Sequence, residues 1–170
     1  IVMKSYYKSV NYITLFNEIL IKRLDPNVRN KEKIKHPLPF YIYNDLIELD
    51  QKNIAKIKPY ILDVFIMFQH YKKVKGFGPN LLGALDTLST QIDKNYRNDP
   101  NNQKKFLDIF KSKSKVSRSL RLLNKCNILG KFIPAFGKIV AQMQHDLFHI
   151  YTVDEHTLNV IENIRRFTLD

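Results

Sequence analysis

Three of the five histidines, His145, His149 and His156, crowd into one stretch with Asp146, Asp154 and Glu155. Imidazoles and carboxylates together can ligate a divalent metal or move protons near neutral pH. In His145-Asp146-Leu147-Phe148-His149 the two histidines are four residues apart, the spacing at which one helix face presents both to a single zinc ion. That chemistry uses Glu after the first His as general base; Asp146 is one methylene shorter, and a third ligand is unassigned. A solvated polar helix face explains the pair more simply. His156 falls on the apolar side of a helix, in its first full turn. Two readings stand: a core histidine with one ring nitrogen hydrogen-bonded, or an imidazole facing inward to meet a metal held by other helices. Spacing alone favours the first. Asp154 and Glu155 in a first turn are stabilised by the helix dipole without any catalysis.

Other chemistries lack their residues. No glycine-rich phosphate loop precedes a strand, and there is no Gly-x-Ser-x-Gly. Cys126 is the single cysteine, which excludes a disulfide within the chain and a cysteine-cluster metal site. Beside Leu122 and Leu123 it reads as a small buried hydrophobe with no catalytic role, and the expected compartment is the reducing cytoplasm. No apolar run is long enough to span a bilayer. The formal charge of +12 invites a nucleic-acid reading. Lys outnumbers Arg, however, and base-reading proteins lean on Arg for bidentate contacts. A solvated basic surface is the favoured reading, with no nucleic-acid partner.

The elements that would position these residues are mainly helical. Apolar residues at three- and four-residue spacing predict a helix over Met3 to Leu24, with Tyr6, Tyr7, Val10, Ile13, Leu15, Phe16, Ile19 and Leu20 on its packed side. Asp25-Pro26-Asn27 stops it, and a basic loop follows to Pro37. Phe40-Tyr41-Ile42-Tyr43 and Leu46-Ile47-Glu48-Leu49 around Asn44-Asp45 predict a hairpin, the one strand signal. Pro59 opens a helix apolar on both faces, hence central. Gly76-Phe77-Gly78-Pro79 breaks the chain before a helix through Leu81, Leu85, Leu88 and Ile92 that ends near Pro100. A short helix carries Phe106 and Phe110, and another carries Val116, Leu120 and Leu123 up to Gly130 as left-handed cap. Lys111 to Lys115 between them reads as a solvated loop. A helix from Pro134 buries Phe136, Ile139, Val140, Met143 and Leu147. Thr152-Val153-Asp154-Glu155 has the form of a capping box opening a last helix, with Val153, His156, Val160, Ile164 and Phe167 along one side. Ile1 at the start and a helical pattern still running at Phe167 lead us to expect a piece of a longer protein.

The block from Leu129 to Phe167 closely resembles the bridge into the HD domain of the bifunctional PII uridylyltransferases/uridylyl-removing enzymes. The specific part is Gln142-Met143-Gln144-His145-Asp146-Leu147-Phe148-His149 joined to Tyr151-Thr152-Val153-Asp154-Glu155-His156. Met3-Lys4-Ser5-Tyr6-Tyr7, Lys75-Gly76 and Leu120-Arg121-Leu122-Leu123-Asn124 add weaker likeness upstream. Ala141 departs from the pattern, which expects Gly there; Ala is a good helix former, so a continuous helix accommodates the change.

The resemblance implies a mainly α fold with one small hairpin, running into the first helix of an HD-type phosphohydrolase domain. It implies three parts: residues 1–37 as the helix and loop after a nucleotidyltransferase core, 38–132 as a helical domain, and 133–170 as bridge and start of the HD domain. The parent would uridylylate the PII protein from UTP and hydrolyse UMP off again, using Mg or Mn, with glutamine as effector. His156 would be the first metal ligand of the hydrolase lobe, with Asp154, Glu155 and His149 as outer partners. The remaining ligands and the transferase carboxylates lie elsewhere, so the chain alone is expected to be inactive and metal-free. Two rivals stay open: a basic helical nucleic-acid-binding or scaffold module, and a metalloprotease built on His145 and His149.

Overall fold

The structure, a computed structural model, describes residues 2–24, 34–142 and 152–169. Asn44 and Asp45 close the predicted hairpin, both with positive φ (51° and 60°), as a tight two-residue connection requires. It joins β2 (Tyr41–Tyr43) to β3 (Leu46–Glu48) in the register Tyr41 to Glu48 and Ile42 to Ile47. Two strands escaped the sequence reading: β1 (Ile34–Lys35), antiparallel to β2, and β4 (Gly76–Phe77), parallel to β3. Each is two residues long, too short for an alternating pattern to register. The sheet order is β1-β2-β3-β4, and the fold is mainly α with this small β region.

The helices are α1 (Val2–Leu24), α2 (Asp63–His70), α3 (Pro79–Ser89), α4 (Lys94–Asn98), α5 (Pro100–Lys111), α6 (Val116–Lys125), α7 (Leu129–Phe132), α8 (Pro134–Ile139) and α9 (Val153–Leu169). Pro59 opens only a 3-10 turn (Lys58–Tyr60), and the helix expected from it, α2, starts at Asp63. It is central, as its pattern demanded: Val64, Phe65, Met67 and Phe68 are buried, and Phe77 meets Phe65 and Phe68 edge-on at 5.2 and 5.7 Å. The predicted core residues Leu81, Leu85, Leu88, Ile92, Val116, Leu120 and Leu123 are all buried.

Two charged side chains, buried Glu48 and half-buried Lys115, close helix ends. The Glu48 carboxylate accepts backbone N–H bonds from Leu49 (2.9 Å), Asn80 (3.2 Å) and Leu81 (2.8 Å), so a buried anion sits on the N-terminus of α3. Gly78 leaves it room, because a Cβ there would lie 2.2 Å from Glu48 Oε2. At the other pole, Lys115 donates to the carbonyls of Phe68, Tyr71 and Val74 at 3.1, 2.6 and 2.6 Å, capping the end of α2. Lys115 thus departs from the solvated loop expected of residues 111–115. Burial, and Arg118 after it, pull its ammonium pKa down.

Several other expectations are corrected. Among the described side chains of α1 only Leu15 is buried, and Ile19 is half-buried; Tyr6, Ile13, Phe16 and Leu20 of its predicted packed side are exposed. The helix after Gly78 stops at Ser89, and Asp93 caps a separate α4 by accepting from the Tyr96 N–H. Gly130 is not a left-handed cap, since no described glycine has positive φ. Asn127 (φ 58°) fills that role: its N–H returns to Asn124 O and that of Ile128 to Leu123 O, ending α6. Gly130 serves a close approach instead, as its Cβ would lie 2.8 Å from Gly137 Cα.

The helix predicted from Pro134 to Leu147 ends at Ile139. Val140 is extended (ψ 129°) and Ala141 left-handed (φ 57°), with Gln142 N–H returning to Ile139 O, which makes a type II turn. The third position of that turn favours glycine, so the departure at Ala141 falls where a side chain is strained rather than in a helix. Met143 and Leu147 lie outside the described residues.

Candidate functional site

The chemistry-bearing residues that are described meet where the Ile139–Gln142 turn and the start of α9 close on α6. Asp154 is fully buried in the first turn of α9. One carboxylate oxygen accepts the Ala141 N–H at 3.1 Å and the other accepts Asn124 Nδ2 at 2.9 Å. One side chain thereby ties the strained turn, α6 and α9 together. Thr152 O accepts the His156 N–H at 2.9 Å, and Val153 N–H reaches Gln142 O at 2.8 Å.

Arg121 builds the second half of the junction. Its Nη1 donates to Glu155 Oε2 at 2.7 Å; its Nη2 donates to Asn159 Oδ1 at 2.6 Å and Glu162 Oε2 at 3.1 Å. Arg166 binds the other Glu162 oxygen at 3.0 Å. The hydrogen bond from Arg121 is the main reason that the Glu162 carboxyl sits below its ordinary pKa. Glu155 therefore serves α6, where the capping-box reading turned it back toward Thr152. Lower on α9, Arg165 donates to Phe110 O and Ser112 O.

His156 emerges on the opposite side. It is exposed, and so are Val160, Ile164 and Phe167 of the stripe predicted to pack. The buried side of α9 is instead the row Asp154 and Leu158, continued by half-buried Ile161 and Arg165. The row is shifted because the two polar clasps, through Asp154 and Arg121, set the rotation of α9; apolar spacing alone pointed to the other face. His145, Asp146 and His149 lie outside the described residues. Among the described residues no three of His, Cys, Asp and Glu converge as a metal cage. Asp154 is committed to Asn124 and Ala141, and Glu155 to Arg121. Cys126 is buried, and burial pushes its thiol up to about 12, too high for a nucleophile at neutral pH.

Arg121 and Asn124 went unnoticed as junction residues. Their signal was present: Arg121, Asn124 and Lys125 stand at i, i+3 and i+4, a polar edge beside the buried Leu120 and Leu123 row.

The comparisons decide the family. The model for the uridylyltransferase GlnD third domain matches residues 40–132. The chain belongs to this family. Across 98% of its length it is 37% identical to the bifunctional uridylyltransferase/uridylyl-removing enzymes of Chromobacterium violaceum and Thiobacillus denitrificans, of which it covers 20%. The same enzyme of Nitrosococcus oceani is 37% identical over 98% of the chain and 19% of its own length. The chain thus spans about a fifth of the curated relatives it matches. No solved structure matches it. Among the described residues no helix is long and apolar enough to cross a membrane.

Proposed function

We propose that this chain is the helical connector of a bifunctional enzyme that transfers UMP from UTP to the PII protein and hydrolytically removes it, in the cytoplasm and under control by glutamine. One observation carries the reading: the 37% identity extends over 98% of the chain, from α1 through α9, to relatives named for both activities. In this reading His156 is the first ligand of the hydrolase lobe's divalent ion, Mg or Mn. The other ligands come from outside these residues, as do the transferase carboxylates. The exposed row of His156, Val160, Ile164 and Phe167 is the face onto which the rest of that lobe would pack. Buried Asp154 and the Arg121–Glu155 pair act as positioning residues, fixing the rotation at which α9 presents the imidazole. When bound, a divalent ion supplies electrostatic stabilisation of a phosphoryl-transfer transition state; this chain supplies the rigid arm.

The purified chain, given PII, UTP and Mg or Mn, turns over neither reaction. Sustained uridylylation, or release of UMP from modified PII by this chain alone, would overturn the assignment of both centres to other parts of the enzyme.

A further inference from the structure

Between α1 and the α6–α8 segment runs a basic groove to which the proposed function assigns no ligand. Two adjoining cavities, of 520 and 370 Å³, share Lys8, Asn124, Asn127 and Val140 as walls. Both fall in the size range of small-molecule sites, about 300–1,000 Å³. Cross-links hold the walls apart: Lys4 Nζ donates to Lys138 O at 2.6 Å, and Lys125 is paired with Glu18. These two contacts set the spacing of the walls.

Its charge is one-sided. The second cavity is lined by Lys8, Lys131 and Lys138 with no carboxylate, and among the described residues none of the three is ion-paired. The single acid in the first cavity, Glu155, is held by Arg121. Three uncompensated ammonium groups around one small cavity repel one another and favour a multivalent anion. In the neighbouring cavity Arg121 and Lys125 are each paired with a glutamate, and Lys8 stands beside the aromatic Tyr12. Tyr12, on its wall, is 61% exposed. Asn124 and Asn127 have committed their amide N–H groups to Asp154 and Asp86, so their carbonyl oxygens remain as acceptors. A stacking ring beside amide acceptors suits a nucleobase with N–H donors.

We propose that the groove binds a nucleoside polyphosphate, its phosphates among Lys8, Lys131 and Lys138 and its base against Tyr12. This site is separate from His156, and it stands whether or not the transferase and hydrolase assignments hold.

The test is calorimetric titration of the chain with ATP, UTP and inorganic tripolyphosphate, with chelator present. Both nucleotides should bind with Kd below about 1 mM, and tripolyphosphate about tenfold more weakly. Lys8→Glu and Lys138→Glu should each weaken nucleotide binding about tenfold or more. Both positions are exposed, so folding is spared, and circular dichroism checks it. Lys72→Glu, an equal change of charge at an exposed turn outside the groove, should leave affinity within about twofold. Tyr12→Ala should reduce nucleotide binding to the tripolyphosphate level. Three results would each overturn the proposal: no nucleotide binding up to about 5 mM, equal effects of Lys72→Glu and Lys8→Glu, or tripolyphosphate binding as tightly as ATP. Preferential binding of a short RNA over the mononucleotides would also reject it, in favour of a polymer surface.

Discussion

Replacing Asp154 by alanine tests the junction that orients α9. The carboxylate is fully buried and accepts two hydrogen bonds, from Ala141 N–H and Asn124 Nδ2. A hydrogen bond to a charged acceptor is worth about 1.5–3 kcal/mol, and a carboxylate in a helix's first turn adds about 0.5 kcal/mol. Relief of the buried charge's desolvation offsets part of this. The expected net loss is about 3 kcal/mol. Asp154→Asn keeps one oxygen for the Ala141 N–H and sets an amide against the Asn124 amide, so about half that loss is expected. Urea unfolding at neutral pH reads both values, with the m-value unchanged if the native fold persists. Hydrogen exchange at the Ala141 amide should quicken strongly in the alanine variant and only modestly in the asparagine one. A loss below about 1 kcal/mol for Asp154→Ala, or equal losses for both variants, would refute the view that this carboxylate clamps the turn.

Gly78→Ala would drive a Cβ onto the Glu48 carboxylate and lift it off the α3 N-terminus, at a cost of about 3 kcal/mol in thermal or urea unfolding. In a Glu48→Ala background the same change should cost far less; strict additivity would contradict the capping role. Arg121→Met should flatten the acid limb of the stability curve. The folded Glu162 carboxyl lies below its ordinary 4.5, so its contribution is present above that pH and is lost as pH falls through the lower folded value. Unfolding free energies at neutral and acid pH compare the two proteins, and parallel curves would argue against the pairing.

The helical core was legible because Leu81, Leu85, Leu88, Val116, Leu120 and Leu123 recur with helical period and have no competing partner. The hairpin was legible because Asn and Asp both tolerate the positive φ that its turn demands. Parts set by polar contacts distant in sequence were hidden. Nothing local says that Lys115 caps α2 or that Glu48 caps α3, since each acts across more than thirty residues. The rotation of α9 is a similar case: its apolar stripe predicts one buried face, and Asp154 with Arg121 selects another. The turn at Ala141 was masked by the high helix propensity of alanine. The expected glycine at that position, set against a left-handed φ, was the clue to a helix ending there.

The central claim is that His156 serves removal of UMP and takes no part in its addition. His156→Ala in the full-length enzyme carrying this chain, assayed both ways on PII, tests it most directly. The account predicts uridylylation at the wild-type rate and a fall in UMP removal of more than about 100-fold, beyond the loss expected from an outer-shell partner. Removal at the wild-type rate, or an equal loss of both activities, would contradict it.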